Sequence, residues 1–305
     1  MPLTRNTPKP MLTVAGIPVT EHQLMMAKAA GITEIVLATS YLSEVFTPYF
    51  GDGSQWGMSI KYAVEKEPLG TGGAIRNAAQ LLTTEESVVI LNGDVLSSHN
   101  LAEQIRQHEE HDADVTLHLT QVEDARAFGC VPTDSEGRVT AFLEKMENPV
   151  TNQINAGCYV FNPRVISTIP LDTVVSVERE TFPQLVNSGA KVYGYLENAY
   201  WLDIGTPKAL LKASTDIVLR TDQKLVMPGA SVDSTAVISG GSCIGRDATV
   251  AAGTHIDCSI VEAGAVIGSH AIITNSFIAA GATVDNGAKI TSSFVTKGEI
   301  LPIPQ

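Results

Sequence analysis

Several short segments carry residue types whose spacing suits phosphate and metal chemistry. Lys9 stands between two prolines in Pro8-Lys9-Pro10-Met11. Proline fixes its own φ and pushes the preceding residue toward extended backbone, so Lys9 lies on a low-entropy segment able to present an ammonium to a phosphate. The same string also suits a plain surface turn. Glu67-Pro68-Leu69-Gly70-Thr71-Gly72-Gly73-Ala74 follows the strand-like run 60–64 and opens a helical stretch reaching Leu82. Glycines at a helix start let backbone approach a ligand closely, and the helix N-terminus favours anions. Asn92-Gly93-Asp94 ends the apolar run Val88 to Leu91, and Asp203 stands in Trp201-Leu202-Asp203-Ile204-Gly205-Thr206-Pro207, after the run Lys191 to Leu196. One aspartate after a strand is ordinarily a cap or turn residue. Two at the ends of separate strands can share a hard cation that keeps waters and phosphate oxygens among its ligands.

These segments need a scaffold, and the chain has two periods that supply one. From about Ile32 to Trp201, short β-branched runs alternate with helical stretches: 35–38 then 43–49, and 88–91 then 100–111. This alternation predicts βαβ units, an α/β fold with a Rossmann-like, mostly parallel sheet. Thr20 is the expected N-cap of a helix from Glu21 to Ala30, closed at its far end by Gly31. Ligands of open α/β sheets sit beyond the carboxyl ends of strands, so the residues just after each apolar run are the ones such a sheet positions.

After Pro228 the pattern changes. Apolar residues recur six apart at Val232, Ile238, Ile244, Val250 and Ile256, then at Val261, Ile267, Ile273, Ile278, Val284, Ile290 and Val295 with occasional steps of five. Cys258-Ser259-Ile260-Val261, Asn275-Ser276-Phe277-Ile278 and Ser292-Ser293-Phe294-Val295 are successive 17-residue images. A hexapeptide repeat of this kind stacks each inward aliphatic residue on its copy one coil away, with glycines at tight corners. It resembles a left-handed parallel β-helix. The expected organisation is a nucleotide-type domain over 1–207, a connecting helix and linker over 208–227, and the β-helix over 228–305.

Composition bounds the partners. With 305 residues and 44% hydrophobic content the chain can bury a full core and form roughly two domains. A formal charge of −13 and a pI near 4.9 argue against nucleic-acid or anionic-membrane surfaces. The sequence has no apolar run of membrane-spanning length, and the expected location is the cytoplasm. Cys130, Cys158, Cys243 and Cys258 show no C-x-x-C spacing and read as reduced thiols. His255 and His270, inside the repeat, have no triad partner in the pattern and read as solvated corner residues.

Taken together the motifs resemble those of the sugar-nucleotide pyrophosphorylases, a nucleotidyltransferase family. Pro2-Leu3-Thr4 and Pro8-Lys9-Pro10-Met11 are similar to the second half of the signature G-x-G-T-R-L-x-P-L-T-(x)n-P-K-P-M. The resemblance implies that Lys9 contacts the nucleotide phosphates. It implies that Glu67, Pro68, Gly70, Thr71, Gly72 and Asn92 line the nucleotide, and that Asp94 and Asp203 hold Mg²⁺. Glu144-Lys145, preceded by Phe128-Gly129, resembles F-x-E-K-P, with Met146 in place of the proline. Asn155-Ala156-Gly157-Cys158-Tyr159 resembles N-A-G-x-Y, and 176–183 resembles S-x-E-x-x-x-F-P. These matches imply a sugar-phosphate side made by Gly129, Glu144, Lys145, Asn155, Gly157 and Glu178, although Glu178 equally suits a capping-box carboxylate.

The overall resemblance is closest to the mannose-1-phosphate guanylyltransferase branch. It implies attack of a sugar-1-phosphate oxygen on the α-phosphorus of a nucleoside triphosphate, with Lys9, Asp94 and Asp203 as the catalytic set. GTP and mannose-1-phosphate are the implied substrates, GDP-mannose the product, Mg²⁺ the cofactor and a homo-oligomer the expected assembly. Adenylyl-, uridylyl- and thymidylyl-transferring relatives acting on glucose-1-phosphate share most of these motifs. The first half of the signature is absent, and the expectation is that the native chain begins some 15–20 residues upstream, a length set by a strand and a phosphate loop. The competing reading is a non-catalytic sugar-nucleotide-binding regulatory subunit. A hexapeptide acyltransferase stands third, since such an enzyme has no need of the N-terminal α/β domain.

Overall fold

The computed structural model describes residues 7–39, 43–65, 67–83 and 86–303; Pro2-Leu3-Thr4 lies outside them. The chain divides into two compact units, His22–Trp201 and Met1–Glu21 with Leu202–Gln305. Parallel strand pairs predominate along it. No helix among the described residues is long and apolar enough to cross a membrane.

In the first unit the 34–39 and 59–64 strands pair in parallel, as do the 115–121 and 192–196 strands. The long Gln153–Phe161 strand runs antiparallel to 115–121 on one side and to 88–91 and Gly129–Cys130 on the other. An apolar run does not encode strand direction, so this reversal is a feature the sequence pattern leaves open. The Val115, Leu117, Leu119, Tyr159, Phe161, Phe182 and Val192 side chains share one buried cluster. The helix opened by the glycine run spans Gly70–Ala79, and the Leu101–Glu110 helix is capped by Asn100, whose side chain accepts from the Glu103 N–H.

Thr20 is not a cap. The helix begins one residue earlier, at Val19, whose N–H donates to the Leu12 carbonyl, while the Thr20 hydroxyl donates to the Pro10 carbonyl. Gly31 does close the helix in the left-handed region, at φ +85°.

In the second unit three parallel sheets of short strands form the coils of a β-helix. Val250 pairs with Ile267 and Ile267 with Val284, and Ile256 pairs with Ile273 and Ile273 with Ile290. The inward positions from Ile238 to Val295 fall in a single buried cluster, with Val232 partly buried against it. The final strand, Ile300–Pro302, folds back antiparallel on Ser293–Val295. Helix Pro207–Leu219, capped by the Thr206 hydroxyl, packs on the first coils, so that a Cβ on Gly241 would sit 2.5 Å from the Thr215 carbonyl oxygen.

Residues 7–21 group with this unit, a departure from linear division of the chain. The Thr13–Val14 and Ile17–Pro18 strands form a hairpin turning on Ala15 and Gly16, both at positive φ. The Ala15 N–H donates to Ser214 Oγ at 3.0 Å and the Thr13 hydroxyl donates to the Glu262 carboxylate. Burial pushes the Glu262 carboxyl above its usual range.

Candidate active site

The centre of the first unit's candidate site is a bulge in the Gln153–Phe161 strand. Asn155 faces Leu119 and Tyr159 faces Leu117, so four steps of one strand oppose two of the other. The extra backbone carries Ala156-Gly157-Cys158, and bulges of this kind re-aim side chains near functional sites. Gly157 sits at φ +75°, and a Cβ there would lie 3.0 Å from Asn92 Nδ2 and 3.2 Å from Val95 Cγ2. The close approach and the left-handed backbone both demand glycine.

The approach exists because the turn after the 88–91 strand docks on the bulge. The Asn92 N–H donates to the Gly157 carbonyl at 2.8 Å, and the Val95 N–H closes the turn onto Asn92 O at 3.2 Å. Asp94, half-buried, is the third residue of that turn. Asn155 accepts from the Gly157 N–H at 3.1 Å and donates through Nδ2 to the Tyr159 hydroxyl at 2.9 Å. Asn92 bonds to the same hydroxyl. Tyr159 is fully buried, and burial first, then the Glu178 charge, push its hydroxyl far above the usual phenol range.

Glu178 links this cluster to the glycine-rich helix start. Its Oε2 accepts from Thr71 Oγ1 at 2.7 Å and from Ser176 Oγ at 2.9 Å. The Gly72 N–H donates to the Val175 carbonyl at 2.8 Å, and a Cβ on Gly73 would lie 2.5 Å from the Thr173 carbonyl oxygen. The loop therefore packs backbone to backbone on 173–177. Glu178 lies in a wide turn, Val177–Thr181, that opens the following helix, and Ser176 rather than Glu178 supplies its cap, accepting from the Arg179 N–H.

A third group, Gly129, Glu144 and Lys145, comes together where Gly129 pairs with Glu144. A Cβ on Gly129 would lie 2.9 Å from Glu144 Oε2, so this glycine gives the carboxylate its place. Lys145 occupies the left-handed region at φ +49°, with its N–H on the Phe128 carbonyl at 3.2 Å. Its Nζ lies 4.0 Å from Glu144 Oε1 and is largely exposed, an arrangement that leaves the ammonium available to an anion. Trp201 ties this group to the bulge: its Nε1 donates to the Ala156 carbonyl at 2.9 Å and its ring meets Phe128 edge-on at 5.4 Å.

Of the remaining expected residues, three lie at the start of the glycine-rich loop and two in the second unit. Glu67 and Pro68 are exposed, and Gly70, at φ +69°, would bring a Cβ 2.6 Å from the Val175 carbonyl oxygen. Lys9 and Asp203 belong to the second unit. Lys9 starts a single turn, Lys9–Met11, and is half-buried; Asp203 is exposed and accepts from the Gly205 N–H at 2.7 Å. Gln23, Tyr159, Ser176 and Trp201 hold the site without being singled out as site residues by the sequence. Tyr159, Ser176 and Trp201 each lay in a string quoted for its neighbours, while Gln23 lay in none. A cavity of about 20 Å³ lies behind the Asn92 turn, lined by Gln23, Asn92, Val95, His99, Gly157 and Cys158. It has room for about one water, so it is not the substrate site.

The nucleotidyl transferase family model matches residues 1–219. The chain belongs to that family. A mannose-1-phosphate guanylyltransferase of Mycobacterium tuberculosis is 49% identical over 283 residues, covering 87% of this chain and 79% of that protein. Mannose-1-phosphate guanylyltransferase 1 of Arabidopsis thaliana is 33% identical over 293 residues, covering 90% and 81% respectively. Among solved structures, HddC from Yersinia pseudotuberculosis complexed with GMP-PN has a TM-score of 0.59 at 26% identity, covering 69% of this nucleotidyl transferase and 90% of that chain. A putative glucose-1-phosphate thymidylyltransferase from Bacillus anthracis, at TM-score 0.62 and 20% identity over 70% and 87% of the two chains, shares the fold. The family resemblance expected from the motifs holds, and nucleotidyl transferases of this kind generally use a divalent metal.

Proposed function

We infer that the chain is a sugar-1-phosphate nucleotidyltransferase that makes GDP-mannose from mannose-1-phosphate and GTP, releasing pyrophosphate. The observation that carries this reading is the 49% identity to a mannose-1-phosphate guanylyltransferase across 87% of the chain. The geometry supports it, since the glycine-rich helix start, the Asn92 turn and the Asn155 to Gly157 bulge converge on Tyr159 and Glu178.

The reaction needs positioning and charge neutralisation more than a covalent nucleophile. The loop 67–72, with Asn92, holds the nucleotide, its shape being set by Gly70 and Gly72 packing on Val175. Lys9 steadies the triphosphate. Lys145 takes the sugar phosphate, while Gly129, Glu144, Asn155, Gly157 and Glu178 form the side that receives the sugar. A mannose-1-phosphate oxygen attacks the α-phosphorus, the new P–O bond forms, and the α–β bridge breaks to expel pyrophosphate.

Asp94 and Asp203 are the residues that would hold Mg²⁺. Their oxygens are hard donors, one at the turn after the 88–91 strand and one at the end of Trp201–Asp203. That donor set fits a cation bound by one or two carboxylates plus water and phosphate oxygens. When bound, such a cation neutralises charge on the phosphates. The reading also makes the chain a cytoplasmic homo-oligomer without nucleic-acid or membrane partners, in keeping with its −13 charge and four free cysteines.

The test is pyrophosphate release by the purified protein. GTP, ATP, UTP and dTTP are each paired with mannose- and glucose-1-phosphate in the presence of Mg²⁺. GTP with mannose-1-phosphate is expected to lead. Another leading pair reassigns the substrates, and binding of sugar nucleotide without turnover favours the regulatory-subunit reading.

A further inference from the structure

One amide side chain bridges both ends of the turn that carries Asp94. Gln23 lies on the Val19–Ala29 helix, and its Nε2 donates to the Asn92 carbonyl at 2.7 Å and to the Val95 carbonyl at 2.9 Å. One nitrogen thus uses both of its hydrogens on the first and last carbonyls of the turn. The turn's own closing bond, Val95 N–H to Asn92 O, is longer at 3.2 Å. Its entrance is fixed by the Asn92 N–H on the Gly157 carbonyl. Between this helix and the turn lies the cavity of about 20 Å³, lined in part by Gln23, Asn92, Val95 and Gly157, so packing alone does not confine the turn there.

We propose that Gln23 is the positioning residue for Asp94, fixing the Asn92-Gly93-Asp94-Val95 turn so that the carboxylate is preset for a divalent cation. The proposal rests on the reading of Asp94 as a cation ligand. Gln23 does not touch substrate in this role; it acts through the two carbonyls. A helix-borne side chain suits the task because a regular element holds a donor more precisely than a loop does. Groups that orient a metal-ligating residue typically change metal affinity or activity by about 10- to 100-fold when removed.

The test is Gln23→Met, which keeps length and bulk and removes both donors. Half-saturation by Mg²⁺ is expected to rise about 10-fold or more, while KM for mannose-1-phosphate changes by less than about 2-fold, since no sugar contact is altered. In the metal-free protein, hydrogen exchange of the peptide covering 91–97 is expected to accelerate clearly over wild type, because the turn loses its outer anchor. Gln153→Met is the structural control: it removes another buried amide, which donates to Val131 O at 2.7 Å and Thr133 Oγ1 at 3.3 Å. It should lower stability and leave the Mg²⁺ half-saturation unchanged. Gln23→Asn, one methylene too short to span both carbonyls, should move the metal requirement in the same direction and serves if the Met variant does not fold.

An unchanged Mg²⁺ requirement and unchanged exchange in the Gln23 variants overturn the proposal. Asp94→Asn separates that failure from failure of the underlying reading. If Asp94→Asn abolishes the metal response while the Gln23 variants are silent, only the positioning role falls. If Asp94→Asn leaves the metal response intact, the ligand reading falls and takes the positioning role with it.

Discussion

The Thr71 hydroxyl donates to the Glu178 carboxylate at 2.7 Å and accepts from the Val177 N–H at 2.9 Å, so one side chain of the glycine-rich loop holds the segment that carries Glu178. A hydrogen bond to a charged group contributes about 1.5–3 kcal/mol when shielded and less here, since Thr71 is exposed. Thr71→Val keeps the shape and removes both bonds. KM for mannose-1-phosphate is expected to rise about 5- to 10-fold, equivalent to about 1–1.4 kcal/mol, and by more than KM for GTP, with Thr71→Ser close to wild type. Steady-state kinetics with each substrate varied in turn checks this. A rise confined to KM for GTP would return Thr71 to a purely nucleotide-side role.

Tyr159 joins the turn and the bulge through one buried hydroxyl. Tyr159→Phe leaves Asn155 Nδ2 and the Asn92 side chain each short of a partner. Removing one side of a buried hydrogen bond costs about 1–3 kcal/mol per stranded group. With two groups stranded, urea unfolding should show a loss of about 2–6 kcal/mol with an unchanged m-value. Because the hydroxyl's pKa lies far above its usual range, wild-type activity should show no alkaline limb belonging to this tyrosine.

A stacked pair of buried imidazoles makes the first unit sensitive to acid. His99 and His118 lie with ring centroids 3.8 Å apart. His99 bonds Ser97 Oγ through Nδ1 and Gln104 Oε1 through Nε2. The His118 ring nitrogens make no hydrogen bond of ordinary geometry, although the Glu197 backbone gives its charged form some support. Burial, then the His99 charge, lower the His118 pKa to about 3. Burial lowers His108 to about 4 and lowers His99 as well. An unfolded imidazole titrates near 6.5. Below that pH the unfolded chain binds more protons than the folded one, so stability is full above about 6.5 and falls as pH drops toward 4. Urea midpoints from pH 7 to pH 4.5 should decline, and His118→Phe, which keeps a ring against His99, should flatten the decline. The same slope in both proteins would remove His118 from the account.

How much was legible depended on whether the signal was local. The hexapeptide period exposed the inward set because every coil repeats the same requirement for an aliphatic residue, and Ile238 through Val295 fill one core. The Asn155 to Tyr159 and Glu67 to Ala74 strings were legible because close backbone approach restricts a few adjacent positions to glycine. Thr20 was misplaced because a threonine before a helical pattern has the same appearance whether it caps the helix or reaches back to Pro10 O. Gln23 left no trace: its partners lie 69 and 72 residues along the chain, and nothing in a glutamine on a helix says which carbonyls it will meet.

The β-helix corners repeat a polar device as regular as its aliphatic core. Ser242 Oγ accepts from the Ser259 N–H, Ser259 Oγ from the Ser276 N–H and Ser276 Oγ from the Ser293 N–H, at 3.0, 3.1 and 3.1 Å. Ser259, Ser276 and Ser293 each also donate to the carbonyl two residues back. The residue before each of the four serines, Gly241, Cys258, Asn275 or Ser292, turns through the left-handed region. The hydroxyls thus satisfy backbone groups that the corner removes from the strand ladders. Ser276 is fully buried, so Ser276→Ala leaves the Ser293 N–H and the Thr274 carbonyl without these partners, at a cost of about 1–3 kcal/mol. Ser276→Thr keeps the hydroxyl but adds a methyl to a closed corner, a separate overpacking penalty of about 1–3 kcal/mol. Chemical denaturation of the Ala variant should show the loss, with hydrogen exchange accelerated at Ser293 ahead of Ser259, whose acceptor Ser242 is untouched. Equal exchange at both amides would mean that the coils are held by their aliphatic stack alone and that the serines are passengers of the repeat.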